Sequence, residues 1–348
     1  MRRRNNKGQV SVQFHWIFII IAGAIILAFF VGVVFKQKAV SEQKIATAIV
    51  SDLEPIIAGA GVSEDAFNIV DIPKTDIQFI CSGDYSAYTI PKTAMGDIPL
   101  STDVIFSPDL VEGKRLYIWT LSWQMPFRVM NFLMITSPNI RYEFVYDNNL
   151  LDYAYQIYDD MPSAINKDIW QIGELDDIEN LGFDKTRFVF ITENAQDVRC
   201  PRNFRNLGED DVSAVMISFD EIRFYKKGIT DFTGDPGAVR INEGFTEKNP
   251  MVYGAIFSWN KEMYDCNVRK AFRRLAVVAN ILKDRTEAVR NYYTSQEICY
   301  GLLDVGAGDL EGLWQAAARS DFDEAYSAAW NILDLNDRLL KQDCILVY

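Results

Sequence analysis

Histidine is nearly missing from this chain. The 348 residues hold one, His15, at the edge of an apolar run. Everything beyond residue 35 therefore lacks imidazole. That excludes Ser-His-Asp or Cys-His catalysis and any histidine-ligated metal in the larger part of the chain. None of the five cysteines, Cys81, Cys200, Cys266, Cys299 and Cys344, forms a CxxC pair, which argues against a zinc ribbon. GxxxxGK[ST] does not occur, so there is no phosphate-binding loop. Gly306-Ala307-Gly308 with Gly312 has one residue too many for a dinucleotide fingerprint and reads as an interhelix turn. Asn-x-Ser/Thr is absent. The acid clusters at Glu174–Glu179, Glu209–Asp211 and Asp220–Glu221 lack EF-hand spacing and read as solvated surface. No cofactor is implied.

Charge is also missing in one place. Residues 14–35, FHWIFIIIAGAIILAFFVGVVF, contain no Asp, Glu, Lys or Arg. As a helix rising ~1.5 Å per residue, this run reaches ~33 Å, enough for a hydrocarbon core of ~30 Å. It is longer than the apolar part of a removable secretory signal and runs directly into Lys36, so a retained anchor in membrane lipid is expected. Six of the 35 Lys and Arg fall among residues 1–38, where there is no acid. The remainder thus sets 29 cations against all 48 acids. Such an acidic domain argues against nucleic acid as a partner. Arg2, Arg3, Arg4 and Lys7 precede the span, which favours a cytoplasmic N-terminus and an outside domain. Within the span, Ala24, Ala28 and Gly32 form a small-xxx-small ridge on which a second helix can pack.

The stretch Lys7-Gly8-Gln9-Val10-Ser11, placed just before an apolar helix, resembles the archaeal class III signal peptide of type IV pilin-like proteins. The resemblance covers about 25 residues and implies a cut between Gly8 and Gln9 that keeps the hydrophobic helix. The family usually has Glu at the fifth mature position, where it meets the N-terminal amine of a neighbouring subunit. This chain has Gln13 there, an uncharged amide. An ordinary basic flank before an anchor reads the same way. The hydrophobic spacing of the C-terminal part is similar to that of archaeal membrane-anchored proteins without an assigned activity.

The chain beyond the span divides into a juxtamembrane helix, 36–60, a mixed domain, 72–260, and a helical C-terminal part, 261–348. Ile45, Ile49, Leu53 and Ile56 keep one apolar face, and Pro55 should kink or end that helix. From Ile72 the pattern turns to short strands: Asp76–Cys81, Tyr85–Ile90, Val104–Phe106 and Arg115–Trp123, with Phe127–Ile135 either strand or helix. The aromatic face of RLYIWTLSW reads as core. Strands at Arg141–Tyr146, Phe188–Thr192, Ser213–Phe219, Glu221–Tyr225 and Val252–Ser258 alternate in part with helices, the first at Leu150–Tyr158. Residues 159–184 read as a polar stretch and 228–250 as a long loop. An α/β or α+β extracytoplasmic domain with a mixed sheet follows. Long helices are expected over 261–294 and 322–342, the latter opened by Asp321 with Glu324, and Cys344–Tyr348 reads as an edge strand. Arg269, Lys270, Arg273 and Arg274 read as a solvated or salt-bridged face.

Ligands in open α/β sheets sit beyond the carboxyl ends of strands. Those positions carry Asp147, Asn148, Glu193, Asn194 and Asn260, which would suit a cation, a polar ligand or carboxylate-based hydrolysis. Turns and helix caps demand the same residue types. For disulfides, the 261–294 helix separates Cys266 from Cys299. Cys299–Cys344, both just past helix ends, and Cys81–Cys200 are the expected pairs. The expected role is that of a membrane-anchored surface protein of structural or interaction type, a pilin-like or envelope component. The alternative is a tethered hydrolase or ligand-binding protein that uses carboxylates.

Overall fold

The structure, a computed structural model, describes residues 7–60, 63–83, 85–91, 93, 96–100, 103–241 and 245–348. Arg2, Arg3 and Arg4 lie outside the described residues. The uncharged run sits in one helix, α1 (Lys7–Ala60), with Gly8 and Gln9 in its first turn. Its stretch Trp16–Lys38 is long and apolar enough to cross a membrane, and none of it is buried. Pro55 does not end the helix, which continues to Ala60. A proline this close to the end forfeits only one late hydrogen bond. The chain divides into two units: Met1–Asp52 with Lys92–Gly96, and Leu53–Pro91 with Asp97–Tyr348.

The second unit is built on two sheets. The first contains β1 (Phe67–Ser82), β2 (Tyr85–Thr89), β3 (Ile98–Pro99), β4 (Val104–Phe106), β5 (Leu110–Gln124) and β6 (Arg128–Thr136), in the order β3-β2-β1-β5-β6-β4. Its pairs are antiparallel except β4 with β6. The second contains β7 (Ile140–Tyr146), β8 (Lys167–Gln171), β9 (Lys185–Ile191), β10 (Val212–Ile217), β11 (Glu221–Lys227), β12 (Phe232–Gly234) and β13 (Val239–Arg240). Its order is β12-β11-β10-β9-β7-β8, with β13 on β11. Strands β8, β7, β9 and β10 run parallel and the others antiparallel. The expected mixed sheet is present, in an α+β arrangement. Strand β8 and the short β12 and β13 lie in stretches whose polar composition reads as loop.

Both faces of the second sheet are covered. Phe144, Val189, Ile191, Val215 and Phe224 alternate with Val145, Phe188, Phe190, Ala214 and Met216, and the two sets enter different cores. The first core is shared with the first sheet and the helices. Trp119 of β5 meets Tyr253 edge-on at 4.9 Å, and Trp123 stacks on Phe132 at 5.3 Å. The aromatic strand face is therefore packing, as its alternation implies.

Helix α2 (Leu151–Asp160) follows β7. Residues expected as a strand at Val252–Ser258 instead form α3 (Pro250–Phe257). Asn249 caps it, and Pro250 occupies the first turn, where its missing N–H costs nothing. All eight residues are buried. With no exposed face there is no helical period to read, and a short apolar run then looks like a strand. Next come α4 (Lys261–Arg290), α5 (Ile298–Arg319) and α6 (Phe322–Lys341). Asp321 caps α6 by accepting from the Glu324 N–H, as expected.

Gly306 lies inside α5, not in a turn. A Cβ there would stand 2.5 Å from Leu335 Cδ2 of α6 and 3.8 Å from Thr286 Cγ2 of α4. The glycine permits close helix approach, so it serves packing. The C-terminal residues also form no strand. Val347 N–H donates to Asn336 Oδ1 at 2.8 Å and Ile345 N–H to Tyr293 Oη at 3.2 Å, while Arg285 donates to the carbonyls of Leu346 and Val347. Side chains of α4 and α6 and of the turn after α4 thus satisfy a backbone that no strand pairs.

Cys299 and Cys344 are bonded, as expected, although Cys299 lies in the first turn of α5 rather than between helices. Cys81 is bonded to Cys266, not to Cys200. The end of β1 lies beside the first turns of α4, an adjacency that a sequence separation of 185 conceals. Cys200 is free and fully buried, and burial pushes its thiol up to about 11. The folded protein should therefore resist thiol alkylation and gain one reactive thiol on unfolding without reductant. Non-reducing peptide mapping should recover Cys81–Cys266. A Cys200-linked peptide, or a Cys200 labelled in the native state, overturns this assignment.

Candidate functional site

Of the five candidate residues, Asp147, Glu193 and Asn194 lie beyond parallel strand ends, with Asn148 beside Asp147 in the short 3-10 turn that follows β7. Asp147 follows β7, and its N–H donates to Ile191 O of β9 at 3.0 Å. Glu193 and Asn194 follow β9 and are exposed. Adjacent β7 and β9 thus bring these three to one edge. Each polar group except Glu193 has local work. Asp147 caps a short 3-10 turn by accepting from Asn149 N–H, and Asn194 caps another by accepting from Gln196 N–H. Asn194 also joins Asp197, whose other carboxylate oxygen accepts from Thr192.

Asn260 is elsewhere, which corrects the single-edge arrangement. It caps α4, accepting from Met263 N–H at 2.9 Å, and its amide donates to both oxygens of Asp109 at 3.0 and 2.9 Å. Asp109 precedes β5. Burial pushes its carboxyl above the usual range, while Lys185 and Asn260 pull it back. Lys185 opens β9 and places its ammonium 4.8 Å from the Trp259 ring centre. This corner is at the amino end of the parallel strands, opposite to Asp147. Val252–Phe257 being a helix removes the strand whose carboxyl end Asn260 was to mark.

A Ser–Lys pair escapes sequence reading because 184 residues separate its members. Lys270 Nζ stands 2.7 Å from Ser86 Oγ and 2.7 Å from Leu100 O, and it also bonds Asp103 O. Ser86 Oγ in turn donates to Leu100 O at 2.5 Å. Burial lowers the amine to about 8. A neutral amine beside a hydroxyl is the start of a nucleophile. Here, however, the adjoining cavity holds only about 10 Å³ and Ser86 is buried. The pair ties β2, Leu100, Asp103 and α4 together. Lys270 therefore leaves the solvated face assigned to it.

A cavity of about 390 Å³ lies beyond the carboxyl ends of β7 and β10. Tyr153 and Gln156 come from α2, Phe219 from the β10–β11 turn, Thr246 and Glu247 from the approach to α3, and Tyr253 from α3. Ile157 and Val252 supply buried apolar floor. Tyr253 Oη donates to Asp160 Oδ2 at 2.6 Å, and burial together with that carboxylate pushes the phenol far above its ordinary value. Tyr153, raised to about 12 by burial, packs on Phe219 with ring centres 5.2 Å apart. None of the candidate polar positions Asp147, Glu193, Asn194 or Asn260 lines this cavity. Phe219 and Tyr153 carry no sequence motif, and only the fold brings them together.

The fold and its polar–aromatic cavity define an α+β protein with an apolar N-terminal helix. No protein-family model matches the chain, and neither a curated protein nor a solved structure gives a significant match.

Two outcomes follow from the side-chain ties. Asn260→Ala removes a cap and leaves Asp109 without its amide, so denaturant unfolding should show a loss of about 1–3 kcal/mol. A change near zero contradicts the structural role. For Lys270, an unfolded lysine titrates near 10.4, so between about pH 8 and 10 the unfolded state binds more protons and stability rises with pH. Lys167, also lowered to about 8 by burial, adds to that rise. Melting curves across this window should show it, and Lys270→Met should reduce it. An unchanged slope in the variant refutes the assignment to Lys270.

Proposed function

We propose that this is a single-pass cell-surface protein of structural or interaction type, pilin-like or part of the envelope, with its N-terminus cytoplasmic and its folded unit outside. The observation that carries this reading is the apolar helical stretch Trp16–Lys38, none of it buried. The cationic residues before it favour the orientation. Two disulfides suit an oxidising compartment. The ridge of Ala24, Ala28 and Gly32 is exposed, and nothing lies within 4 Å of a Cβ built on Gly32. It is the surface offered to a second helix. Gln13 in place of an acid, and a large outer unit, favour a minor component over the main subunit of a filament.

N-terminal sequencing of protein from its native membrane should find Gln9 first. Gly8→Val should block that cut, since a bulky side chain would crowd the scissile bond. Finding Met1 or Arg2 removes the pilin-like part of the proposal and leaves a simple anchor. An impermeant thiol reagent on intact cells should label a cysteine placed at 235 but not one at 5, and the reverse pattern inverts the topology.

A further inference from the structure

The cavity beside α2 and α3 is independent of the membrane reading, and its walls specify a ligand chemistry. We propose that it binds a neutral saccharide. Its size, about 390 Å³, lies within the ~300–1,000 Å³ of small-molecule sites. It stands beyond the carboxyl ends of parallel strands, where open sheets gather loops into crevices. Its lining mixes polar and apolar side chains, so a wholly apolar ligand would leave amide and carboxylate groups unpaired.

Three features choose among polar ligands. The first is the aromatic wall. Phe219 is 59% exposed, although it is a large apolar side chain on a tight turn. Tyr153 backs the ring and fixes its attitude. A pinned ring with open area offers a flat apolar surface to the C–H face of a pyranose. The second is spare hydrogen-bonding capacity. Neither Gln156 nor Glu247 has a hydrogen-bond partner among the described residues. A planar amide and a carboxylate can accept from vicinal hydroxyls, and the amide can also donate. The third is charge. Among the described residues no Lys or Arg lines the cavity, so nothing described there favours phosphate or carboxylate ligands. Its carboxylate, Glu247, is exposed and therefore screened, and nearby Asp160 already accepts from Tyr253. Little fixed charge remains to hold a cation. A ligand with one apolar face and many neutral hydroxyls matches all three.

The test uses the full chain in lipid nanodiscs, free of alkyl-glycoside detergents, which would themselves occupy a saccharide site. Glucose, N-acetylglucosamine, maltose and cellobiose are screened by saturation-transfer NMR, with choline and inorganic phosphate as charged probes. At least one saccharide should bind saturably, with transfer strongest to its ring C–H protons. Phe219→Ala should weaken that binding about three- to tenfold. Gln156→Ala should weaken it as well. Both side chains are exposed, so both variants should melt as the parent does. The proposal is overturned if no saccharide binds, or if binding is unchanged in both variants. It is equally overturned if choline alone binds and Glu247→Gln abolishes that binding.

Discussion

One buried cation holds the two sheets in register with the helices. Arg187 of β9 is 1% exposed and bonds no carboxylate among the described residues. Its guanidinium donates to the carbonyls of Ala255 at 3.0 Å, Ile256 at 3.3 Å and Trp259 at 3.1 Å. It also reaches Ser213 Oγ at 2.9 Å and Ala214 O at 3.2 Å. The first two carbonyls belong to the end of α3, where helix C-terminal oxygens lack partners and carry partial negative charge. The site thus compensates a charge with dipoles. Removing it would strand several buried acceptors at once, which is why such a group is costly to lose even where it adds little net stability.

The consequences spread along the backbone. Past Trp259 comes Asn260, which opens α4 and grips Asp109 at the start of β5. A single corner therefore connects β9, the end of α3, the start of α4 and the first sheet. The other end of α3 faces the cavity with Val252 and Tyr253. Fixing one end of an eight-residue helix fixes the other, so the wall of the cavity inherits its position from Arg187. Gly254 is part of the same fit: a Cβ there would meet three atoms of the Phe106 ring at 3.0–3.1 Å.

Sequence reading succeeded where one local rule dominates. The charge-free run, the amphipathic α4 and α6, the Asp321 cap and the alternating β5 are each decided by neighbours a few residues away. It failed where tertiary burial erases the local signal. Helix α3 is apolar all round, so it imitates a strand, and α5 hides a helix behind Gly306 and Gly308. The polar β8 carries a fully buried acid, Glu143, at its side on β7, paired with Arg141 and Trp170. Cation pairing of that kind lets charged residues enter a sheet without an apolar pattern. For the sites, position relative to strand ends was legible for Asp147, Glu193 and Asn194. The meeting of Tyr153 with Phe219, and of Ser86 with Lys270, depends on contacts across many intervening residues, which no spacing rule encodes.

The bond between Cys81 and Cys266 joins positions 185 apart in sequence and encloses every described strand after β1. The second bond joins positions 45 apart within the helical part. Under a pull between α1 and the final residues, neither enclosed segment can lengthen. The extensible chain is restricted to the stretch before Cys81, the span between Cys266 and Cys299, and the last residues. A chain pulled this way would thus reach a short, fixed limit of extension. A protease cut anywhere inside either ring would likewise leave one covalent molecule, tethered to whatever holds its first helix.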